Sequence, residues 1–199
     1  MWGADIGTLN IYAKTGTTLG QVLWTQSGAL SRNWFQAQID FIPTADFKFV
    51  FEGVTGADYE SDIALDDIYI TTGACGGSIC GCDFDLDLCT FTQATTDDID
   101  WTRLAGNTPS TNTGPENDHT IGTAAGFYIY TEASNLFNKV AVLESELILA
   151  SSGRLCADFW YHMWGADIGT LNIYVKTGTT LGQVLWTQSG ALSRNWFQA

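Results

Sequence analysis

The stretch "GTLNIYAK", residues 7–14, places an apolar side chain at every second position, with Leu9, Ile11 and Ala13 on one side. Polar or amphipathic side chains fill the positions between them. A period of two is typical of a β-strand that buries one face. The stretch therefore predicts a strand at the start of the chain.

The same alternation recurs along the whole chain, and no window keeps a helical period over three turns. Two segments are more continuously apolar, which is typical of strands in a sandwich core: "IALDDIYITT" (63–72) and "KVAVLESELILA" (139–150). Strands without helices predict an all-β sandwich or barrel. The alternating segments are "WFQAQIDF" (34–41), "DFKFVFEG" (46–53), "GFYIYTE" (126–132) and "RLCADFWYHM" (154–163).

The chain also repeats itself. Residues 1–37 and 163–199 match at 36 of 37 positions, and the one difference is Ala13 against Val175. The offset, 163 − 1 = 162 residues, is the size of one ordinary domain. We therefore expect part of a tandem array, with Met1 an internal methionine. The Gly-rich stretch "CGGSICGC" marks the module boundary, so we expect the second half of one module (1–75), a linker (76–81) and the first part of the next module (82–199).

Composition limits the partners. Eight basic against 22 acidic residues give a net charge of −14, which argues against nucleic acid and anionic membrane surfaces because both need basic patches. No stretch reaches the roughly 18 consecutive apolar residues of a spanning helix, so we expect no direct membrane insertion. The acidic balance suits cation binding or a solvated surface.

The five cysteines favour disulfide bonds over zinc. Cys80 and Cys82 form a C-x-C pair, and the two histidines, His119 and His162, make no ligand pair, whereas zinc sites commonly use C-x₂₋₄-C spacing. Disulfides indicate an oxidising compartment. An odd number leaves one thiol over.

Several longer motifs make the pattern specific: "CDFDLDLCTFTQATTDDIDWTR", "GNTPSTNTGPENDHT", "LCADFWYHMWGADIGTLNIYVK" and "VFEGVTGADYESDIALDDIYITTGAC". Together they closely resemble the MAM domain family, extracellular modules of meprin-type proteases, neuropilins and receptor tyrosine phosphatases. The resemblance implies a two-sheet antiparallel jelly-roll sandwich, similar to concanavalin A, here built from a circularly permuted pair of partial modules. It implies a non-enzymatic adhesion or interaction role in a secreted or membrane-bound multi-MAM protein, with other proteins or like modules as partners.

The resemblance also implies the cysteine pairing. It pairs Cys82 with Cys89, and Cys75 with Cys156, although the last two belong to neighbouring modules. Cys80 matches no cysteine of the family. Pairing between modules and a free thiol both stay open for it.

Four aspartates are candidate ligands for a calcium or sodium ion: Asp85, Asp118, Asp66 and Asp67. Several MAM domains bind such an ion near similar positions, so the resemblance suggests it here, although Asp85 stands where the family usually has a glutamate. Carboxylates and backbone carbonyls in loops supply the oxygen ligands that a hard cation needs. The alternative is that these carboxylates accept backbone hydrogen bonds and cap turns.

Parts of the sequence are similar to two other function classes. The aspartates of "DFDLD" (83–87) are similar to the acidic strand of a retaining glycosidase. A strand between Cys82 and Cys89 would span about 23 Å, however, and a disulfide holds Cα atoms within about 7 Å, so a bridged segment must fold back. No Ser–His–Asp or Cys–His arrangement stands out, and we expect no catalysis. A lectin-like sandwich that binds carbohydrate is the second class. Trp24, Trp34 and Trp101 are the candidate side chains for a sugar platform, and the alternative for each is packing in the core.

The repeat raises one structural question, namely which copy completes the sandwich. Residues 82–162 supply the first half of a module and residues 1–75 the second half. The second copy ends at Ala199, midway along the predicted strand that runs intact over residues 34–41 in the first copy. We therefore predict that residues 1–37 occupy the sandwich and that residues 163–199 are displaced.

Overall fold

The computed structural model describes residues 8–15, 18–27, 33–75 and 80–190. Within these residues the chain forms thirteen strands and one short 3₁₀ turn, Ala150–Ser152. The strands are β1 (Thr8–Thr15), β2 (Thr18–Ser27), β3 (Phe35–Phe41), β4 (Lys48–Val54), β5 (Ile63–Thr72), β6 (Cys80–Cys82), β7 (Thr92–Gln93), β8 (Thr102–Ala105), β9 (Phe127–Thr131), β10 (Val140–Glu144), β11 (Leu155–Met163), β12 (Thr170–Thr177) and β13 (Thr180–Ser189).

The strands form two sheets. Sheet A has the order β1-β2-β13-β12-β4-β10-β7, and sheet B has the order β3-β11-β5-β9-β8 with β6 also paired to β5. The pairings between these strands are antiparallel except that of β2 with β13. The predicted all-β, two-sheet antiparallel sandwich is confirmed.

Aromatic side chains fill the space between the sheets. Phe51 of β4 meets Phe159 of β11 edge to face, with ring centroids 5.5 Å apart. Trp186 of β13 contacts Phe159 at 5.1 Å and Tyr161 at 4.9 Å. Each pair joins the two sheets. These contacts therefore bury apolar surface between the sheets, and they have the edge-to-face geometry that aromatic rings prefer.

The second copy of the repeat lies inside the sandwich. β12 pairs with β4 from Thr170 opposite Val54 to Lys176 opposite Lys48, and its residues Leu171 and Ile173 are fully buried. β1 and β2 of the first copy lie beyond β13 at the margin of sheet A. The prediction that residues 1–37 fill the sandwich and residues 163–199 are displaced is therefore wrong for the hairpin.

Chain continuity explains this arrangement. β11 in sheet B leads directly through residues 164–169 into β12 in sheet A. The carbonyl of Trp164 accepts hydrogen bonds from the Gly114 N–H and the Thr113 hydroxyl, and a Cβ at Gly169 would lie 1.7 Å from the Val54 carbonyl oxygen. The crossing is thus closely packed, and it delivers the second copy to β4 without a break.

The first copy nevertheless supplies the neighbouring strand of sheet B. β3 pairs with β11 along its length and buries Ala37 and Ile39. β3 of the first copy is an unbroken strand, as the sequence predicts, but it is not in the same sheet as the hairpin of its own copy. The sandwich takes its hairpin from the second copy and β3 from the first, and the segments between them, 28–32 and 191–199, lie outside the described residues.

Two disulfides close the sandwich. Cys75, after β5, is bonded to Cys156 of β11 with the Cα atoms 5.0 Å apart, and Cys82 is bonded to Cys89 at 5.9 Å. Of the proposed linker, residues 76–79 lie outside the described residues, while Cys80 and Gly81 belong to β6. The first bridge therefore joins the part of the chain before the linker to the part after it.

Candidate functional site

The outer face of sheet B carries the Asp66–Asp67 pair at an irregularity of β5. Opposite β11, the register shifts so that three steps along β5 match two along β11, and Asp67 has a positive φ of 50°. One extra residue in a positive-φ conformation is the geometry of a β-bulge, which often re-aims side chains. The bulge places both carboxylates against the loop that precedes β9.

Both carboxylates fasten this loop. Asp66 Oδ2 accepts the N–H groups of His119 at 2.7 Å and Thr120 at 3.4 Å. Asp67 Oδ2 lies 2.6 Å from Nδ1 of His119, and its Oδ1 accepts the Thr120 hydroxyl at 2.8 Å. The structure therefore brings "DDI" (66–68) and "DHT" (118–120) together through direct hydrogen bonds.

Burial makes the Asp66 carboxyl a weaker acid than an exposed aspartate. Loss of solvent raises its pKa to about 8, and the neighbouring charge of Asp67 adds to the rise, while the N–H donors of His119, Asp67 and Thr120 oppose it. The ring of His119 stacks on Trp160 with centroids 3.8 Å apart. The loop before β9, with His119 stacked on Trp160, therefore lies against the two carboxylates.

Asp118 organises the loop itself. It is 2% exposed, and its carboxylate accepts the N–H groups of Ile121 at 2.6 Å and Thr123 at 3.1 Å. A Cβ on Gly126 would lie 2.2 Å from its carboxyl carbon, so the loop closes tightly around it. These contacts are those of a turn cap.

Asp85 fixes the beginning of β9. Its Oδ1 accepts the N–H of Phe127 at 2.9 Å, and its carbonyl accepts Nη2 of Arg103 at 2.6 Å. The same guanidinium lies over the Phe127 ring, 3.5 Å from the centroid. Asp85 therefore contacts Phe127, which directly follows the glycine against the Asp118 carboxyl group, Gly126.

The four candidate ligands accept donors from the protein rather than converging on one point. Within residues 8–15, 18–27, 33–75 and 80–190, no group of three or more His, Cys, Asp or Glu side chains is placed to hold a metal ion. The local geometry matches the turn-capping alternative. The calcium or sodium ion stays a prediction.

The acidic segment "DFDLD" does not form a strand. The Cys82–Cys89 bridge folds it back, Asp83 Oδ1 accepts the Asp85 N–H at 3.1 Å and Asp87 Oδ1 accepts the Cys89 N–H at 2.7 Å. The three carboxylates therefore do not line a strand, which removes the geometric premise of a glycosidase.

Of the three candidate indoles for a sugar platform, the two whose side chains are described, Trp34 and Trp101, are packed against other residues. Trp101 is 2% exposed in the core. Trp34 is half-buried, donates its Nε1–H to the Asn117 carbonyl at 2.9 Å and packs edge-on against Tyr128 and His162. The side chain of Trp24 lies outside the described residues.

Three important carboxylates were missed from the sequence. Asp62 is fully buried, and desolvation raises its pKa to about 7. Burial also acts on Glu144, but hydrogen bonds from Lys176 and Lys48 outweigh it and lower its pKa. Glu52 accepts hydrogen bonds from Asn172 and the Tyr174 hydroxyl. Their partners are distant in sequence, so no local motif could have identified them.

Comparisons with known proteins point to one family. The profile described as "MAM domain, meprin/A5/mu" matches residues 1–76 and 82–199. Human MAM domain-containing protein 2 is 34% identical over 202 residues, which cover 96% of this chain and 29% of that protein. Thyroid hormone-induced protein B of Xenopus laevis is 35% identical over 205 residues, covering 98% of this chain and 30% of its own length.

A third relative matches a shorter region. Mouse MAM domain-containing glycosylphosphatidylinositol anchor protein 2 is 36% identical over 131 residues, which cover 58% of this chain and 14% of that protein. The chain thus spans less than a third of each relative. No solved structure matches significantly. Among the described residues, no helix has the length and apolar character needed to cross a membrane.

Proposed function

Because the chain belongs to the MAM domain family, we propose that it is a non-enzymatic extracellular interaction module that contacts other proteins or like modules at cell surfaces. The observation that carries the proposal is the family match over residues 1–76 and 82–199. The MAM domain is extracellular, and the two disulfides fit an oxidising compartment. The chain is therefore extracellular. A multi-MAM parent protein, secreted or membrane-bound, belongs to the proposal.

The contacts of the acidic groups support a non-enzymatic role. Asp66, Asp85 and Asp118 each accept backbone N–H groups from a loop or a strand start. A general acid or base has to reach a substrate proton directly or through one water. Carboxylates engaged in this way serve to hold the loop before β9.

Adhesion by the intact chain is directly measurable. Beads that carry the oxidised protein should aggregate with one another or bind to cell surfaces, while beads that carry the reduced and alkylated protein should do neither. Reduction opens both disulfides, and alkylation with the uncharged reagent iodoacetamide leaves the surface charge unchanged, so the reduced protein is a control matched in charge. Failure of oxidised beads to bind either target would refute the interaction role.

A lectin-like activity is distinguished in the same assay. Binding to proteins is lost when the target cells are treated with protease and persists when their glycans are removed. Binding to carbohydrate is instead lost when the glycans are removed, whether or not protease treatment also abolishes it. The second pattern would replace protein contact with the carbohydrate alternative.

A further inference from the structure

We propose that the outer edge of β13, at Gln188 and Ser189, is a docking edge for a second copy of the same hairpin. The proposal rests on the proposed function and names a contact between like modules. Its occupant is the repeated hairpin, supplied by the same chain or by another. The structure contains this contact once, between β13 and β2.

The two hairpins are built alike. β1–β2 runs from Thr8 opposite Ser27 to Thr15 opposite Thr18. β12–β13 runs from Thr170 opposite Ser189 to Thr177 opposite Thr180, with the same two register irregularities. Each hairpin therefore presents the same outer edge.

The contact places equivalent residues side by side. Gln188 lies opposite Gln26 and Ser189 opposite Ser27, in parallel. Each pair is separated by the repeat offset, 188 − 26 = 162 and 189 − 27 = 162. An edge strand exposes unpaired N–H and C=O groups that can template another strand. Here the strand that takes that position is the copy of the edge itself.

Burial on the outer face shows that the hairpin covers β13. Thr187 and Ser189 alternate with the core-facing Trp186, so they face away from the sandwich core, yet they are only 1% and 2% exposed. β1 contacts both β13 and β12, which means that the first hairpin folds over this face. An antiparallel sheet commonly leaves its outer face solvated. The burial therefore reflects a seated second copy.

The paired part is short, so the contact depends on proximity. Two residues pair across a parallel ladder, and parallel pairs are slightly less stable than antiparallel ones. Tethering raises the effective concentration of a weak contact to the millimolar range. Like modules joined in one chain, or crowded on a surface, meet this condition.

Short-range cross-linking of the full chain tests the docking edge. In a Cys80→Ser background, Ser27→Cys with Ser189→Cys places two thiols at paired positions, and a thiol cross-linker that spans only a few ångströms should join them. The matched control is Thr18→Cys with Ser189→Cys. Thr18 lies at the far end of β2, roughly 30 Å along a parallel strand, but would lie beside Ser189 if the strands were antiparallel.

The proposal predicts at least about ten times more cross-link in the first variant than in the control, since only paired thiols share a high effective concentration. Links within one chain and links between two chains both support the docking edge, and peptide mass mapping tells them apart. Equal yields, or a higher yield in the control, would overturn it.

Hydrogen exchange on the unmodified chain guards against misfolded variants. Gln188 and Ser189 pair with β12 on one side and with β2 on the other, and successive N–H groups of a strand point to opposite edges. Whichever of the two amides points away from β12 should exchange as slowly as the amides of β12, whereas exchange typical of a free edge would also overturn the proposal. Bead aggregation can fail while the cross-link forms, which would refute the proposed function and leave the docking edge in place.

Discussion

The two copies of the repeat form the same hairpin in two different places. Residues 8–27 and 170–189 share register and irregularities, but β12 pairs with β4 inside the sandwich whereas β1–β2 lies beyond β13. Local sequence therefore sets the hairpin, and long-range contacts set its position. Propensity is a weak guide wherever tertiary context differs.

Two features separate the copies. Hydrogen bonds with residues of other loops hold the segment that leads into the second copy. The Trp164 carbonyl accepts two of them, and the Asp167 N–H donates another. The single sequence difference also falls in the core, because Val175 is 5% exposed where the first copy has Ala13. Glu52 and Glu144 could hydrogen-bond to either copy. Their donors in the second copy have identical counterparts in the first copy, namely Asn10, Tyr12 and Lys14.

The largest effect is expected from the bridge that joins the two halves of the permuted sandwich. Removing it with Cys75→Ala and Cys156→Ala opens a loop of 81 residues and should lower the free energy of unfolding by about 4 kcal/mol. The control, Cys82→Ala with Cys89→Ala, opens a separation of 7 residues and should cost about 2 kcal/mol on the same scale. Urea unfolding measures both, and an equal or reversed order would contradict the closure.

The next effect separates the copies themselves. Val175→Ala makes them identical and should lower the free energy of unfolding by about 2 kcal/mol, because it removes buried methyl groups and leaves a cavity. Ala13→Val also makes them identical, but it should change the stability by less than Val175→Ala does, because β1 lies beyond β13 at the margin of sheet A. If Ala13→Val had the greater effect, the first copy would be the one in the core.

A smaller effect tests the loop that holds the second copy. The Asp62 N–H donates to Thr113 Oγ1 at 3.0 Å, and the Thr113 hydroxyl donates to the Trp164 carbonyl at 2.9 Å. Burial raises the pKa of Asp62 from 3.8 to about 7, so the folded state binds more protons than the unfolded state between these values. The contribution of Asp62 to stability should therefore fall as the pH rises through this window, by about 1 kcal/mol between pH 5.5 and 6.5.

The matched variant for this pH effect is Asp62→Asn, which keeps the shape and removes the titration. Denaturation of the variant across the same pH window should show a shallower decline than the parent chain. The remaining decline belongs to Asp66, whose pKa is also raised. Identical slopes in the two proteins would exclude Asp62 as the titrating group.

The smallest expected effect is that of an ion, and it should not distinguish the copies, since Asp66, Asp67, Asp85 and Asp118 all lie outside the repeat. Calcium or sodium at a free concentration equal to its Kd would add about 0.4 kcal/mol to the folded state. Thermal melts in calcium, in sodium and in potassium with chelator measure this. The same Tm in all three solutions would contradict the binding of calcium or sodium.

The sequence predicted strands well wherever a period of two is local. "WFQAQIDF" contains β3, "DFKFVFEG" covers all of β4 except its last residue, and "IALDDIYITT" is β5. It could not predict the bulge at Asp67, because its positive φ depends on the pairing with β11. Only the first part of "KVAVLESELILA" is a strand, β10. The choice of hairpin copy was missed because the copies differ at a single position.

The sequence also predicted only part of the candidate site. The resemblance named Asp66, Asp67, Asp85 and Asp118, and the structure places the first two beside the "DHT" loop. Asp62 and Glu144 stand in no recognisable motif. Their importance comes from burial and from lysines or loops far away in sequence.

The central claim is that the hairpin of the second copy completes the sandwich, and a zero-length carbodiimide cross-link tests it most directly. Glu144 forms an ion pair with Lys176 of the second copy, whose counterpart in the first copy is Lys14. The two linked peptides differ in mass, because one carries Val175 and the other Ala13. The structure predicts that Glu144 is joined to the peptide that carries Val175, and recovery of Glu144 joined to the peptide that carries Ala13 would contradict it.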